Sequence, residues 1–316
     1  MKITFLGLNK EEIDFFKETF LGQDMDFFTE NLGKIKIEEI IDSQILCLNA
    51  FSKLDAITLS KFNDLNLIAT RSTGYDHIDL NYCNEHGIAV KNVPLYGDVT
   101  IAEYTFAMLL TLSRKVLEGK QKILDGRFDK EDLQGFDLEG KTIGIIGGGN
   151  IGINVANMAL GFGMNVLVYD MAEDKKLAKK VGFSYTSMEK LLQESDVVSL
   201  HVPYNEKTYH MIDDNSFNQM KQGVILLNTA RGEIIDTKEL IHALESKKIG
   251  AVGLDVFEGE GVFQTTKDPN DEHMDNIKRV LQFDNVLITP HNAFNTKEAV
   301  QRINETTVIN IQEFIL

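Results

Sequence analysis

The stretch KTIGIIGGGNIG, residues 141–152, sets the reading of the whole chain. Its first half is apolar on both faces, the mark of a strand buried in a parallel sheet. Its second half is rich in glycine, and an apolar helical pattern follows. Strand, G-x-G-x-x-G and helix, in that order, form a dinucleotide-binding turn. Gly147 permits the tight turn, Gly149 lets the backbone approach a pyrophosphate, and Gly152 lets helix and strand pack closely. The phosphates are expected at the helix N-terminus, over Asn150 and Ile151. The next strand, NVLVYD (165–170), ends on Asp170. A carboxylate there accepts the hydroxyls of the adenosine ribose and repels a 2′-phosphate. No arginine follows in Met171-Ala172-Glu173, so the expected cofactor is NAD and not NADP.

Working outward, more short apolar runs repeat the pattern: DVVSLHV (196–202), GVILLNT (223–229), GAVGLDV (250–256) and NVLITP (285–290), with a weak strand near Phe183 to Tyr185. These read as interior strands of a sheet covered on both sides by helices. Towards the N-terminus, KITFLGL (2–8), SQILCLN (43–49), LNLIATR (65–71) and GIAVKNV (87–93) also read as strands. Amphipathic stretches such as KEEIDFFKETF (10–20) and LDAITLSKF (54–62) separate them. The fold class is therefore α/β, with two doubly wound parallel sheets and a boundary near residue 98. A long helix is expected from Thr100, whose spacing to Glu103 suits a capping box. Its apolar residues on nearly every face suggest burial in a core or against another subunit.

The totals exclude several classes. The 316 residues, 43% of them hydrophobic, are enough for two cores. A net charge of −16 repels phosphate backbones, which argues against nucleic acid. Cys47 and Cys83 show no metal-ligand spacing and read as small buried hydrophobes; no metal is expected. MKITFLGLNKEE reads as a first strand and not a signal peptide, and no run approaches the ~18 apolar residues of a membrane span. The expectation is a cytoplasmic protein without a membrane partner.

In an open α/β sheet, ligands bind beyond the carboxyl ends of the strands. Arg231 follows strand 223–229, Glu260 follows 250–256, and His291 follows 285–290. The three point to one reaction. Reduction of a ketone by NADH creates an alkoxide that needs a proton, and histidine supplies one at neutral pH. A carboxylate beside it favours the imidazolium and orients the ring. An arginine fork grips a carboxylate and polarises the carbonyl next to it. The implied substrate is a 2-keto acid. The remaining histidines are weaker candidates: His86 and His242 fall in helical patterns, His273 in a polar loop, His77 in a turn and His210 after a loop, while His201 ends a strand and could line the cofactor cleft.

With RSTGYDHIDL, GGGNIG and Asp170, SLHVP, NTARGEIID, GLDVFEGE and ITPHNAF all present, the chain resembles the D-isomer-specific 2-hydroxyacid dehydrogenases along essentially its whole length. The resemblance implies a Rossmann-type NAD domain (99–292) and a flavodoxin-like substrate domain (1–98 and 293–316). It makes Arg231, Glu260 and His291 the catalytic set. It places Val202, Pro203, Thr208, Thr229, Ala230 and Asp255 along the cofactor, and the N–H groups of Thr73 and Gly74 on the substrate carboxylate. Phe51, Tyr96 and Phe294 would line an apolar pocket for the substrate side chain, and the long helix would form a homodimer. The long stretch between Glu260 and His291, with GEGVFQTTKDPNDEHMDN as an extended loop, looks most like the D-lactate dehydrogenase subgroup. Tyr104 and Asn292 depart from the commoner family residues. The sequence stops soon after INIQEFIL, which leaves a longer tail open. Two readings stay open beside it: the same fold acting on D-2-hydroxyisocaproate or 3-phosphoglycerate, and an NAD-sensing corepressor-like binding protein. A phosphorylated substrate would need basic partners, and only Lys53 and Arg71 offer themselves.

Overall fold

The computed structural model describes residues 1–263 and 272–316. The chain divides into two compact units. One comprises Met1–Tyr96, residues 261–263 and Thr296–Leu316; the other comprises Gly97–Glu260 and residues 272–295. The expected limits were 1–98 with 293–316, and 99–292.

The first unit is built on β1 (Lys2–Phe5), β2 (Asp24–Phe27), β3 (Ile45–Leu48), β4 (Leu67–Thr70) and β5 (Ala89–Lys91). All pair in parallel, in the order β2-β1-β3-β4-β5, which is the flavodoxin-like order. The helices α1 (Lys10–Thr19), α2 (Ala56–Leu59) and α3 (Leu80–Glu85) connect these strands. β2 was not read from the sequence. Its residues, DMDF, are exposed or half-buried because the strand lies at the sheet edge. The central strands bury both faces: Leu46 and Leu48 enter one apolar layer, Ile45 and Cys47 the other. Burial pushes the Cys47 thiol up to about 12, so it behaves as a small apolar residue.

The second unit contains α4 (Asp98–Ser113), α5 (Val116–Leu124), β6 (Thr142–Ile146), α6 (Asn150–Gly161), β7 (Asn165–Tyr169), α7 (Lys175–Val181), β8 (Ser184–Tyr185), α8 (Met188–Glu194) and β9 (Val197–Leu200). It continues with α9 (Asp214–Gln219), β10 (Val224–Asn228), α10 (Thr237–Glu245), β11 (Ile249–Leu254), α11 (Glu272–Val280) and β12 (Val286–Ile288). The strand order is β12-β11-β10-β9-β6-β7-β8, all parallel. Counted within the unit, this is the Rossmann order with one added strand beside β11. The order reverses between β6 and β9, and a ligand crevice forms at such a switch point.

Several sequence expectations need correction. α4 begins at Asp98 with Gly97 as its cap residue, so Thr100 is a buried residue of the first turn and not the cap residue. A true capping box stands at α1: Glu12 N donates to Asn9 Oδ1 (3.0 Å), and Asn9 N donates to Glu12 Oε2 (3.0 Å). β12, expected in the sheet interior, is an edge strand and only half-buried. His273, placed in a loop, belongs to α11. Of the extended loop expected over 259–276, residues 264–271 lie outside the described residues, and a 3₁₀ turn (Glu260–Phe263) and the start of α11 flank them.

The last helix, α12 (Lys297–Ile315), returns to the first unit, where Ile311 packs in the layer of Phe5 and Phe16. A buried polar contact joins it to the sheet. The Arg71 guanidinium, just past β4, pairs with the Glu12 carboxylate of α1 and donates to Asn304 Oδ1 of α12 at 3.1 Å. The Arg71 and Glu12 side chains are only 6% and 9% exposed. Removing one partner of such a pair strands a buried charge. Arg71→Ala is expected to destabilise the protein by about 3–5 kcal/mol, and Asn304→Ala by about 1 kcal/mol, read from urea unfolding midpoints.

Candidate active site

The cofactor crevice starts where β6 ends. Gly147 takes φ +103°, and a Cβ there would stand 2.6 Å from the His201 carbonyl carbon. At Gly152 a Cβ would stand 2.0 Å from Gly147 O, so α6 can lie this close to the turn only with glycine. The space beside Gly149 is open to 4 Å, and α6 begins at Asn150 without a side-chain cap. The N-terminus of α6 is thus left for an anion. Asp170, at the end of β7, accepts from Gly148 N (2.6 Å) and Ala172 N (2.7 Å), which ties its carboxylate to the glycine turn. A cavity of about 590 Å³ adjoins it, lined by Tyr169, Asp170, Met171, Val202, Pro203 and Thr208 among others. Thr208 shapes that wall: its hydroxyl donates to Pro203 O (2.7 Å) and accepts from Asn205 N (2.8 Å). Lys207 and Met211 also line the cavity and were not read from the sequence. Further along the edge, Thr229 Oγ1 lies 3.1 Å from Thr105 Oγ1 of α4, and Ala230 N donates to Asn228 Oδ1 (3.0 Å). An open glycine turn, a helix N-terminus and a carboxylate beside a cavity suit a dinucleotide whose ribose meets Asp170.

The three charged candidates follow three adjacent parallel strands, β10, β11 and β12, and so emerge at one edge of the sheet. Arg231 sits on a turn held by Asn228, whose Nδ2 donates to Arg231 O (2.8 Å); its own Nη1 donates to Ala230 O (2.7 Å). Glu260 opens the 3₁₀ turn after β11. Its Oε1 lies 2.6 Å from His291 Nδ1, and its Oε2 accepts from Phe257 N (3.3 Å). An ionised carboxylate can only accept, so Nδ1 carries the proton of this bond and Nε2 is the ring's other working atom. The sequence predicts a carboxylate beside this histidine, and the sheet supplies it from 31 residues away in the chain.

His291 has a left-handed backbone, φ +52°, which a residue with a Cβ rarely adopts. Asp255 holds it there. His291 N donates to Asp255 O (2.8 Å). The Asp255 carboxylate accepts from Thr289 Oγ1 (2.6 Å), Asn292 N (2.8 Å) and Ala293 N (2.8 Å). Asp255 is 1% exposed, and the resemblance had suggested only that it lines the cofactor.

In the first unit, Thr73 and Gly74 use their carbonyls within the loop, accepting from Asn92 Nδ2 (2.7 Å) and Ser72 Oγ (2.6 Å). Among the described residues no group accepts from their N–H groups. Phe51 and Tyr96 belong to the same unit; Phe294 belongs to the second. His201 packs against the glycine turn, with Nε2 2.8 Å from the buried Ser199 hydroxyl. Although part of the residue reaches the surface, burial of the ring holds its pKa down at about 3.

Residues 106–293, more than half the chain, match the family model described as D-isomer specific 2-hydroxyacid dehydrogenase, NAD binding domain. The chain belongs to the D-isomer specific 2-hydroxyacid dehydrogenases. NAD is its cofactor. A D-lactate dehydrogenase of Escherichia coli is 34% identical over 306 residues, spanning 96% of this chain and 92% of that protein. An aromatic 2-oxoacid reductase of Clostridium sporogenes is 35% identical, spanning 100% and 97%. The crystal structure of a D-lactate dehydrogenase from Aquifex aeolicus, complexed with NAD and lactic acid, superposes with a TM-score of 0.92 at 38% identity, covering 99% and 95%.

The depressed pKa of His201 has a consequence for stability. In the unfolded chain an ordinary histidine binds a proton near pH 6.5, whereas the folded ring stays neutral down to about 3. Between these values the unfolded state holds the extra proton, so this residue weakens folding as pH falls below 6.5, by up to about 1.4 kcal/mol per pH unit. His201→Gln, which does not titrate, is expected to lose less stability than the wild type between pH 7 and pH 4, measured from urea midpoints.

Proposed function

We propose that this dehydrogenase is a D-lactate dehydrogenase, reducing pyruvate or a slightly larger aliphatic 2-keto acid to the D-2-hydroxy acid. The hydrogen bond between Glu260 and His291, at the edge of the NAD-binding sheet next to the Arg231 loop, carries the reading. In it Arg231 grips the substrate carboxylate with its guanidinium fork and polarises the adjacent carbonyl. His291 Nε2 delivers the proton to the carbonyl oxygen, and Glu260, bonded to Nδ1, keeps the ring in the working tautomer and balances its charge. NADH, when bound, supplies the hydride. The first unit is the substrate domain in this reading. Its N–H groups at Thr73 and Gly74, which meet no acceptor among the described residues, are in this reading donors to the substrate carboxylate. Phe51, Tyr96 and Phe294 give the substrate side chain an apolar wall, where each buried CH₂ is worth roughly 0.8 kcal/mol. A phosphorylated substrate is disfavoured because Arg71, one of its two candidate partners, is buried and committed to Glu12 and Asn304. The D hand of the product follows the related enzymes.

Steady-state assays with NADH and NADPH, and with pyruvate, 2-ketoisocaproate, phenylpyruvate, hydroxypyruvate and phosphohydroxypyruvate, test this. The expected result is NADH-dependent turnover that is fastest for pyruvate or the aliphatic acid, and oxidation of D-lactate but not L-lactate. Arg231→Gln should cost about 2–5 kcal/mol in kcat/KM, the range for losing a desolvated charge partner. Preference for the phosphorylated acid, or for L-lactate, would sink the proposal; preference for phenylpyruvate would move it to the aromatic acids.

The same reading proposes a homodimer through the NAD-binding unit. α4 packs Ala102, Phe106, Met108 and Leu109 inside its own unit, against α6, β10 and β11, and leaves Val99 exposed. Exposed apolar side chains gather on α5 and just beyond it: Val116, Leu117, Ile123, Leu124 and Phe128. Patches of this kind mark protein interfaces. Sedimentation equilibrium should give a dimer for the wild type and a shift towards monomer for Leu124→Glu; a monomeric wild type would refute it.

A further inference from the structure

The reaction does not use His210, Asp236 or Glu258, yet these three side chains form a cluster directly behind the Arg231 and Glu260 loops. His210 lies on a segment that pairs in parallel with the end of the Arg231 loop: His210 N donates to Glu233 O (2.9 Å), Ile212 N to Ile234 O (3.0 Å), and Asp236 N to Ile212 O (3.0 Å). Its backbone is left-handed, φ +48°, and its ring stacks on Tyr209 at 3.9 Å. Nε2 reaches Glu258 Oε1 at 2.8 Å, and Nδ1 lies 3.3 Å from Asp236 Oδ2. Asp236 belongs to the loop that begins at Arg231; Glu258 stands two residues before Glu260. The other oxygen of Glu258 accepts from Thr237 N at 3.4 Å. The two loops also touch backbone to backbone, since a Cβ on Gly232 would stand 2.0 Å from the Phe257 carbonyl carbon. A side chain at position 232 would therefore push the two loops apart.

We propose that His210 is a positioning residue: its hydrogen bond to Glu258, steadied by Asp236, sets the distance between the loop that carries Arg231 and the loop that carries Glu260. Arg231 holds the substrate and Glu260 holds the proton donor, so this distance sets the alignment of carbonyl and imidazole. Misplacement of about 1 Å in such an arrangement can cost on the order of 100-fold in rate. The proposal rests on the 2-keto acid reductase reading above.

The test uses the full-length enzyme and the keto acid that the wild type turns over fastest. His210→Phe keeps the ring and its stacking but removes both nitrogens. His210→Gln restores a donor towards Glu258. Glu258→Ala removes the acceptor, and His210→Phe combined with Glu258→Ala closes a double-mutant cycle. NADH titration by fluorescence gives the dissociation constant and the number of competent sites. Expected are a fall in kcat of at least about tenfold for His210→Phe and for Glu258→Ala, with NADH affinity held within about threefold. The double variant should be no slower than the slower single one, and His210→Gln should recover about fivefold over His210→Phe. The proposal is overturned if His210→Phe keeps kcat within about threefold of wild type, if its loss only tracks a loss of NADH-competent sites, or if the two single effects add. Should His210→Phe not fold, Glu258→Ala decides by the same kcat criterion. A wild type inactive on every keto acid would overturn both readings, whereas an active wild type with unaffected variants overturns this one alone.

Discussion

The buried carboxylate of Asp255 is the contact on which the catalytic edge depends. Burying a charge is costly unless it is fully hydrogen-bonded, and here Thr289, Asn292 and Ala293 supply the donors. In return the carboxylate holds the loop after β12 in a shape that includes a left-handed histidine. β12 could not impose that shape itself, because it is a three-residue strand, half-buried and, among the described residues, paired only to β11. The strand supplies position and the neighbouring strand's aspartate supplies conformation. His291 then meets Glu260 at 2.6 Å, although both sit on loops.

Parallel pairing is the larger constraint behind this. Strands that run the same way deliver all their carboxyl ends to one edge, so residues from distant parts of the chain become neighbours without any helix or loop being designed to join them. The same geometry opens the crevice between β6 and β9, where Gly147, Gly149 and Gly152 leave room at the start of α6. The glycine-turn crevice and the Glu260–His291 pair are therefore two consequences of one sheet. The close packing at Gly152 and at Gly232 shows how little slack this leaves: in both places another backbone occupies the space a side chain would need.

Much of this was legible in the residues. The central strands of the second sheet announced themselves by apolar runs, because a strand covered on both faces has no polar side to show. The glycine turn, Asp170 and the charged residue after each late strand could be placed from order alone. The misreadings have physical causes. β2 escaped notice because an edge strand need not be apolar. Thr100 and Glu103 have cap spacing, but α4 starts at Asp98 and buries Thr100, while the working capping box at Asn9 and Glu12 went unread. Arg71 looked like a basic residue available to a ligand until α1 and α12 closed over it.

The sequence by itself determined the two parallel sheets, the dinucleotide turn and the chemical types present at the reactive edge, because those follow from local pattern and from the order of elements along the chain. Only the tertiary structure decided which groups touch. The Glu260–His291 bond, the Asp255 hold on a strained histidine and the His210 link to Glu258 all join residues from separate loops. Such contacts leave no periodic trace in a sequence, since they depend on how neighbouring strands end, to within an ångström, and on where a backbone turns left-handed.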